Sequence, residues 1–551
     1  MTRSWYYGPR RVPQAFPPSY VRLRVLPLVP PMLANAAMTL IAEAPVLPED
    51  LREQARRRSE SAGARILEDS QRLFFDEPGL DTLLIRSVSS LSRRVTQAGR
   101  AYLGARVGLG LDRDGRAAAM LRLVPTRGYD ALMTSALAIG TALGHFRGGA
   151  VHAQAFFDSL AAGGPASAAP GPNLPLPAGH PVPAVRRFGA PRSLGDMAAD
   201  IDDLYFAMAY GQAVKVTRVG PSGRDAPRAG RGRRWLVSIT GTDHWDLDST
   251  PNPSDLESNI REVLNVPSAA RVGVVRALHE AMRADGVPAD QWSAEPVLAV
   301  GHSQGGMVAT ALAAADPPDA GVRVIGVLTM GTPSRRLRIR DDVAMLAVAH
   351  DQDVVPAIDG TPARAPDRRV MVGRRLVRPR QGPLYYAHSS ATYTETVRHI
   401  ERRSQVAPWG RVDRTVEELR SHLPRGDEPT RVLLFDVWQD LLEPRRGSTW
   451  RTYVELDRPE WQPAEFAENW SPNPLVPRPL PRVPSVIEEL HGAVTGAVGA
   501  VAGISRRVPS RGEDAGSGGE GAAADGTAPD GRDDGHDDQG RGADALLGEE
   551  R

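Results

Sequence analysis

Pro296-Val-Leu-Ala-Val-Gly-His-Ser-Gln-Gly-Gly306 is an apolar run that ends at a serine flanked by glycines, and Met307-Val-Ala-Thr-Ala-Leu312 follows it directly. A short apolar run closed by Gly301 predicts a buried strand, and the Ala-rich stretch Gly305 to Ala315 predicts a helix packed on a sheet. Ser303 therefore stands at a strand, tight turn, helix corner of the G-x-S-x-G kind. Gly301 and Gly305 allow strand and helix to approach closely there, because neither brings a side chain between the two backbones. A serine hydroxyl is a poor nucleophile unless a histidine takes its proton and a carboxylate orients that histidine. The corner carries chemistry if both follow downstream, and is otherwise a plain Gly-rich connection.

Working outward, Ala213 to Val219, Trp235 to Thr240, Val324 to Met330 and Met345 to His350 share the β-rich texture, while Val274, Ala277, Leu278 and Ala281 recur at helical spacing. Strands alternating with helices predict an α/β fold, a mostly parallel sheet with helices on both faces. Met345 to His350 runs into Asp351-Gln-Asp-Val-Val-Pro356, where two aspartates compete for the role of acid. Asp353, just before Val-Val-Pro, is the choice, with Asp351 read as fixing the turn. Gly382-Pro-Leu-Tyr-Tyr-Ala-His-Ser-Ser-Ala-Thr-Tyr393 then offers His388 in a loop, which completes the order Ser, Asp, His. His399, inside a predicted helix, is the reserve. His302, beside the serine, is read as packed or hydrogen-bonded, and His244 and His350 receive similar readings. Acyl transfer also needs donors aimed at the developing oxyanion. The main-chain N–H of Gln304 is one; Thr242, at the end of Trp235-Leu-Val-Ser-Ile-Thr-Gly-Thr-Asp243, is the other, with Gly241 permitting close approach. A simple turn is the competing reading of Gly241-Thr242.

The chain has 551 residues, more than one hydrophobic core usually serves, so several regions are expected. Residues 1–23 read as a flexible N-terminus and 24–162 as a helical region. Within the latter, Leu51 to Phe75 and Leu80 to Leu103 have helix-like spacing, and Tyr129 to Ala150 reads as a helix buried against neighbours. The Pro/Gly/Ala-rich stretch 163–195 predicts a linker at a domain boundary, and 196–405 the catalytic domain. Residues 406–506 read as accessory elements, with Val432 to Asp440 and Trp450 to Arg458 pairing as a hairpin over the main sheet. The acidic tail 507–551, nearly free of apolar residues, is expected to be disordered.

A formal net charge of +1 sets up no field toward nucleic acid, and no nucleic-acid partner is expected. The absence of cysteine excludes disulfides, thiolate metal sites and a cysteine nucleophile. Lys215 is the only lysine. The first residues turn to proline where an export signal needs an apolar core, and Ala131 to Gly144 and Ala493 to Ile504 fall short of the ~20 residues of a membrane span. A cytoplasmic location is the expectation, with a peripheral membrane contact through Val486 to Arg507 as a further idea. Asp533 to Asp538 reads as a solvated charge cluster, and a serine, histidine and aspartate acting together require neither metal nor cofactor.

Together these pieces resemble the α/β-hydrolase superfamily, and Ile239-Thr-Gly-Thr-Asp243 with Gly301-His-Ser-Gln-Gly-Gly306 resembles the class 3 triacylglycerol lipases over roughly residues 200–400. The resemblance implies a carboxylic-ester hydrolase working through an acyl-enzyme, with Thr242, Ser303, Asp353 and His388 as oxyanion donor, nucleophile, acid and base. The chain departs from that family at Ile239-Thr240, where an aromatic residue and an arginine usually stand, and at Gln304, where leucine is commoner. The substrate implied is a small-molecule or lipid ester; the oligomeric state is left open. A thioesterase, peptidase or acyltransferase uses the same triad, and an inactive hydrolase-fold scaffold is the reading from a different class. Trp245 and Leu247 are read either as an acyl pocket or lid, or as part of an ordinary surface loop.

Overall fold

Strands whose successive residues are apolar on both faces are stable only when both faces are covered. A computed structural model of the chain describes residues 5–7, 23–24, 26–43, 47–77, 80–112, 128–142, 144–161, 171–223, 232–244, 248–360, 368–376, 383–406 and 409–442. The strands are β1 (Trp5–Tyr7), β2 (Gly148–Asp158), β3 (Gln212–Val219), β4 (Arg234–Ile239), β5 (Pro296–His302), β6 (Arg323–Met330), β7 (Ala344–His350), β8 (Arg369–Arg374) and β9 (Thr430–Leu441). The helices are α1 (Val29–Glu43), α2 (Glu49–Asp76), α3 (Leu80–Gly108), α4 (Gly128–Ala142), α5 (Leu194–Tyr205), α6 (Leu256–Leu264), α7 (Ala269–Ala284), α8 (Gln304–Ala314), α9 (Pro317–Ala320), α10 (Pro383–His388), α11 (Ser390–Val406) and α12 (Arg411–Arg420).

All nine strands join one sheet in the order β1-β8-β7-β6-β5-β4-β3-β9-β2. Strands β4 to β8 run parallel, while β3, β9 and β2 add an antiparallel flank on one side and β1 an antiparallel edge on the other. The pleat sends Trp235, Val237, Ile239, Val297 and Ala299 to one face, against Ala277 and Leu278 of α7 and Val308 and Leu312 of α8. It sends Leu236, Leu298 and Val300 to the other, against Ile201 of α5, Ile400 of α11 and Leu419 of α12. Three layers result, helices over both faces of a mixed sheet. Among the described residues no helix is long and apolar enough to cross a membrane.

The mostly parallel sheet is as expected, with β3 antiparallel to β4, but other expectations need correcting. β9 is no accessory hairpin over the sheet: it lies within it, between β3 and β2, since Val432 to Val437 are buried without interruption. Its expected partner, Trp450 to Arg458, lies outside the described residues, as do Val486 to Arg507, read as a membrane contact, and the acidic tail. The apolar helix expected over Tyr129 to Ala150 stops at Ala142, where Gly144 adopts φ +81, and Gly148 begins β2. The described part of the expected linker, 171–193, has neither helix nor strand, yet it buries Val185 and Phe188 with Phe156 and Phe157 of β2. The sheet thus draws on residues from both sides of that stretch. Lys215 of β3 ties it down: the buried ammonium pairs with Asp200 at 2.9 Å and donates to the carbonyls of Arg187 and Gly189 at 2.9 and 2.7 Å.

Candidate functional site

Ligand sites of open α/β sheets gather at the carboxyl ends of the parallel strands, and there the chain brings its candidate residues together. Ser303 follows β5 directly and holds φ +53, ψ −119. A non-glycine residue in that region stores about 1–3 kcal/mol of strain, which persists only where the surroundings enforce it. Here they do. Ser303 N–H donates to Met330 O at 2.9 Å at the end of β6. A Cβ on Gly301 would lie 2.3 Å from the Gly305 carbonyl, and one on Gly305 would lie 2.3 Å from Thr240 O. Both glycines are required by backbone approaching backbone.

His388 ends the short helix α10 rather than standing in an open loop. Its Nε2 is 3.1 Å from Ser303 Oγ, and its Nδ1 is 2.8 Å from Asp353 Oδ2. Of the two competing aspartates, Asp353 is the one that reaches the ring, and it also fixes the turn, its Oδ1 accepting Val355 N–H at 3.0 Å. Asp351 donates its N–H to Arg374 O. Tyr393 of α11 donates its hydroxyl to Asp353 Oδ2 at 2.7 Å. Burial works to raise the Asp353 carboxyl, but the facing His388 and the bonds from Tyr393 and Val355 outweigh it and hold its pKa below the usual value. His399, the reserve base, lies within α11.

The strand end after β4 closes the site. A Cβ on Gly241 would fall 2.5 Å from Ser303 Cβ, so this turn rests against Ser303. Gln304 opens α8, where the first N–H groups of a helix have no intrahelical acceptor. Among the described residues the Thr242 main-chain N–H likewise meets no protein acceptor.

Two residues that sequence reasoning passed over knit these parts together. Asn259 of α6 exchanges hydrogen bonds with the Thr242 hydroxyl, at 2.9 and 3.1 Å, and accepts from the Gln304 side chain at 3.1 Å. Gln304 also donates to Asp255 O at 2.9 Å. The glutamine that departs from the lipase pattern is thus a strut between the two candidate oxyanion donors. Tyr205, at the end of α5, accepts the Gly241 N–H at 2.6 Å and donates to His302 Nδ1 at 2.7 Å. Burial, with His388 adding, pushes His302 down to about 3, and burial pushes His350 down to about 4, so both rings are neutral.

The N-terminal helices also reach this end of the sheet. Phe75 of α2 packs with Ala387, next to His388, and Tyr129 of α4 packs with Met307, on the first turn after Ser303. Trp245 and Leu247 lie outside the described residues. No protein-family model, curated protein or solved structure matches the chain.

Proposed function

We propose that the protein is a serine hydrolase of the α/β-hydrolase type that cleaves a carboxylic ester. The observation that carries this reading is the strained Ser303, φ +53, with its Oγ 3.1 Å from a histidine whose other nitrogen is 2.8 Å from a buried aspartate. A structural turn has no need of strain, base and acid at one point; a nucleophile needs all three.

Ser303 Oγ attacks the ester carbonyl carbon while its proton passes to His388 Nε2. The carbonyl oxygen, now anionic, accepts from the N–H groups of Gln304 and Thr242. The bond to the alcohol oxygen breaks as His388 returns the proton to it, leaving an acyl-enzyme. Water, deprotonated by the same ring, then attacks the acyl carbon, and the bond to Ser303 Oγ breaks as His388 Nε2 returns that proton to it, releasing the carboxylic acid. Asp353 orients the ring and faces its positive charge at each step.

The test is hydrolysis of p-nitrophenyl esters of increasing acyl length by the wild type and by Ser303→Ala, with fluorophosphonate labelling alongside. Both signals should vanish in the variant, and the acyl-length profile would sort esterase from lipase. A folded wild type that neither labels nor hydrolyses any ester would sink the proposal and favour the scaffold.

A further inference from the structure

Hydrogen bonding around the base extends beyond Asp353. His302 ends β5 and His350 ends β7, with β6 between them. Both rings are buried, and each meets one of two consecutive carbonyls in the segment that bears the base: His350 Nδ1 lies 2.7 Å from Ala387 O, and His302 Nε2 lies 2.8 Å from His388 O. A carbonyl only accepts, so those two nitrogens carry the protons. The other nitrogen of His302 must then accept, and the Tyr205 hydroxyl at 2.7 Å supplies the proton while its own oxygen takes the Gly241 N–H at 2.6 Å. The chain from Gly241 through Tyr205 and His302 to the His388 carbonyl has a single arrangement of protons. It links the main chain beside one candidate oxyanion donor to the main chain of the base.

We infer that His302, oriented by Tyr205, is a positioning residue for ester hydrolysis, holding the backbone of His388 so that its ring stays within reach of Ser303. The inference rests on the serine-hydrolase reading. A holder is needed because α10 has only six residues, too few to keep its shape unaided. The His388 side chain is also 22 % exposed, against 1 % for Asp353. Gly331 places no side chain beneath the ring; a Cβ there would lie 3.1 Å from His388 Cε1. The His302 ring, its centroid 4.6 Å from that of His388, and the carbonyl bond supply the restraint instead. His302 does not touch the reacting atoms and acts through the base.

Two substitutions separate its two bonds. In His302→Gln the amide nitrogen reaches the position of Nε2 and keeps the donor to His388 O; in His302→Asn the shorter amide keeps only a partner for Tyr205. Each full-length variant would be assayed for kcat and KM on p-nitrophenyl butyrate, fluorophosphonate labelling rate and thermal midpoint. For His302→Asn, kcat and labelling rate should fall about 10–100-fold with KM changed less than about twofold, while His302→Gln stays within about threefold of wild type although both melt earlier. Tyr205→Phe, which removes one hydroxyl, should lower kcat about tenfold. Equal kcat and labelling in the Gln and Asn variants, or full kcat in Tyr205→Phe, would overturn the inference. A wild type that does not label would overturn the hydrolase reading instead.

Discussion

At the amino ends of β4 and β5, Arg233 meets Glu295 at 2.6 Å with both side chains fully buried, and Arg234 meets Glu428 at 2.6 Å. Nearby, on the antiparallel flank, Arg218 meets Asp285 at 3.0 Å and Arg431 meets Asp158 at 2.6 Å. Ion pairs are also found beyond the carboxyl ends of the parallel strands, Arg335 with Asp359 at 2.7 Å among them, but the groups hydrogen-bonded around the His388 segment are His302, His350, Tyr205 and Tyr393, with Asp353 the carboxylate that meets its ring. The contrast has a physical logic. Paired charges specify which strands adjoin, because a partner left alone in the interior is heavily penalised. On the proposed reading His388 accepts and releases a proton; further charges bonded beside it would bias its titration, and neutral rings fix geometry there without adding a field.

The largest way to probe the contrast is Ser303→Ala. Activity should fall by about 10⁶-fold with the thermal midpoint hardly moved; a large loss of stability would mean the site end also holds the fold. Acid comes next. His302 and His350 resist protonation when folded but titrate near 6.5 when unfolded. Below about pH 6.5 the unfolded chain therefore binds protons that the folded one does not, and stability falls by about 1.4 kcal/mol per group per pH unit until the folded values are approached. Their contribution should be complete above that pH. Because His279 and His422 are lowered as well and Asp255 is raised to about 8, the slope is read as the difference in denaturant midpoint between wild type and His350→Gln from pH 8 to 4.5, and no pH-dependent difference would show that this ring is not held neutral.

Arg233→Met addresses the other end of the sheet. It removes the two guanidinium bonds to the buried Glu295 carboxylate, which also accepts from Trp235 Nε1 at 2.9 Å, and should destabilise the fold by about 3–5 kcal/mol. Turnover per labelled active site should stay at the wild-type value; a fall would tie the amino end to catalysis. The smallest effect is expected for Asn259→Ala, which takes one partner from the Thr242 hydroxyl and one from the Gln304 amide. A roughly tenfold lower kcat with unchanged KM, about 1.4 kcal/mol, is the outcome to look for. No change would mean the main chain alone positions the oxyanion donors.

These residues differ in how readable they are from sequence. The central strands are legible because burial on both faces leaves an uninterrupted apolar run; Ser303 and Asp353 because each trails such a strand, and His388 because it completes the order Ser, Asp, His just ahead of a helical run. β8 is only six residues with arginine at both ends, and β2 alternates alanine with polar residues behind an apolar helix, so neither stands out. Nor does β9 advertise its neighbours, since which strand it joins is decided by packing over a long separation in sequence. Asn259 and Tyr205 carry no local signal whatever. Asn259 meets Gln304 across 45 residues and Tyr205 meets His302 across 97, and an asparagine or tyrosine near a helix end acquires meaning only once such partners arrive.

Lys215 offers a use of another kind. As the only lysine in these 551 residues, and one whose ammonium is enclosed by Asp200 and two carbonyls, it leaves the folded chain without an accessible side-chain amine. An amine-acylating reagent can therefore mark residue 215 only when β3 parts from the stretch that covers it. Each such event adds one fixed mass increment. The chain thus contains its own chemical clock for the opening of the antiparallel flank, readable by mass spectrometry with no label introduced.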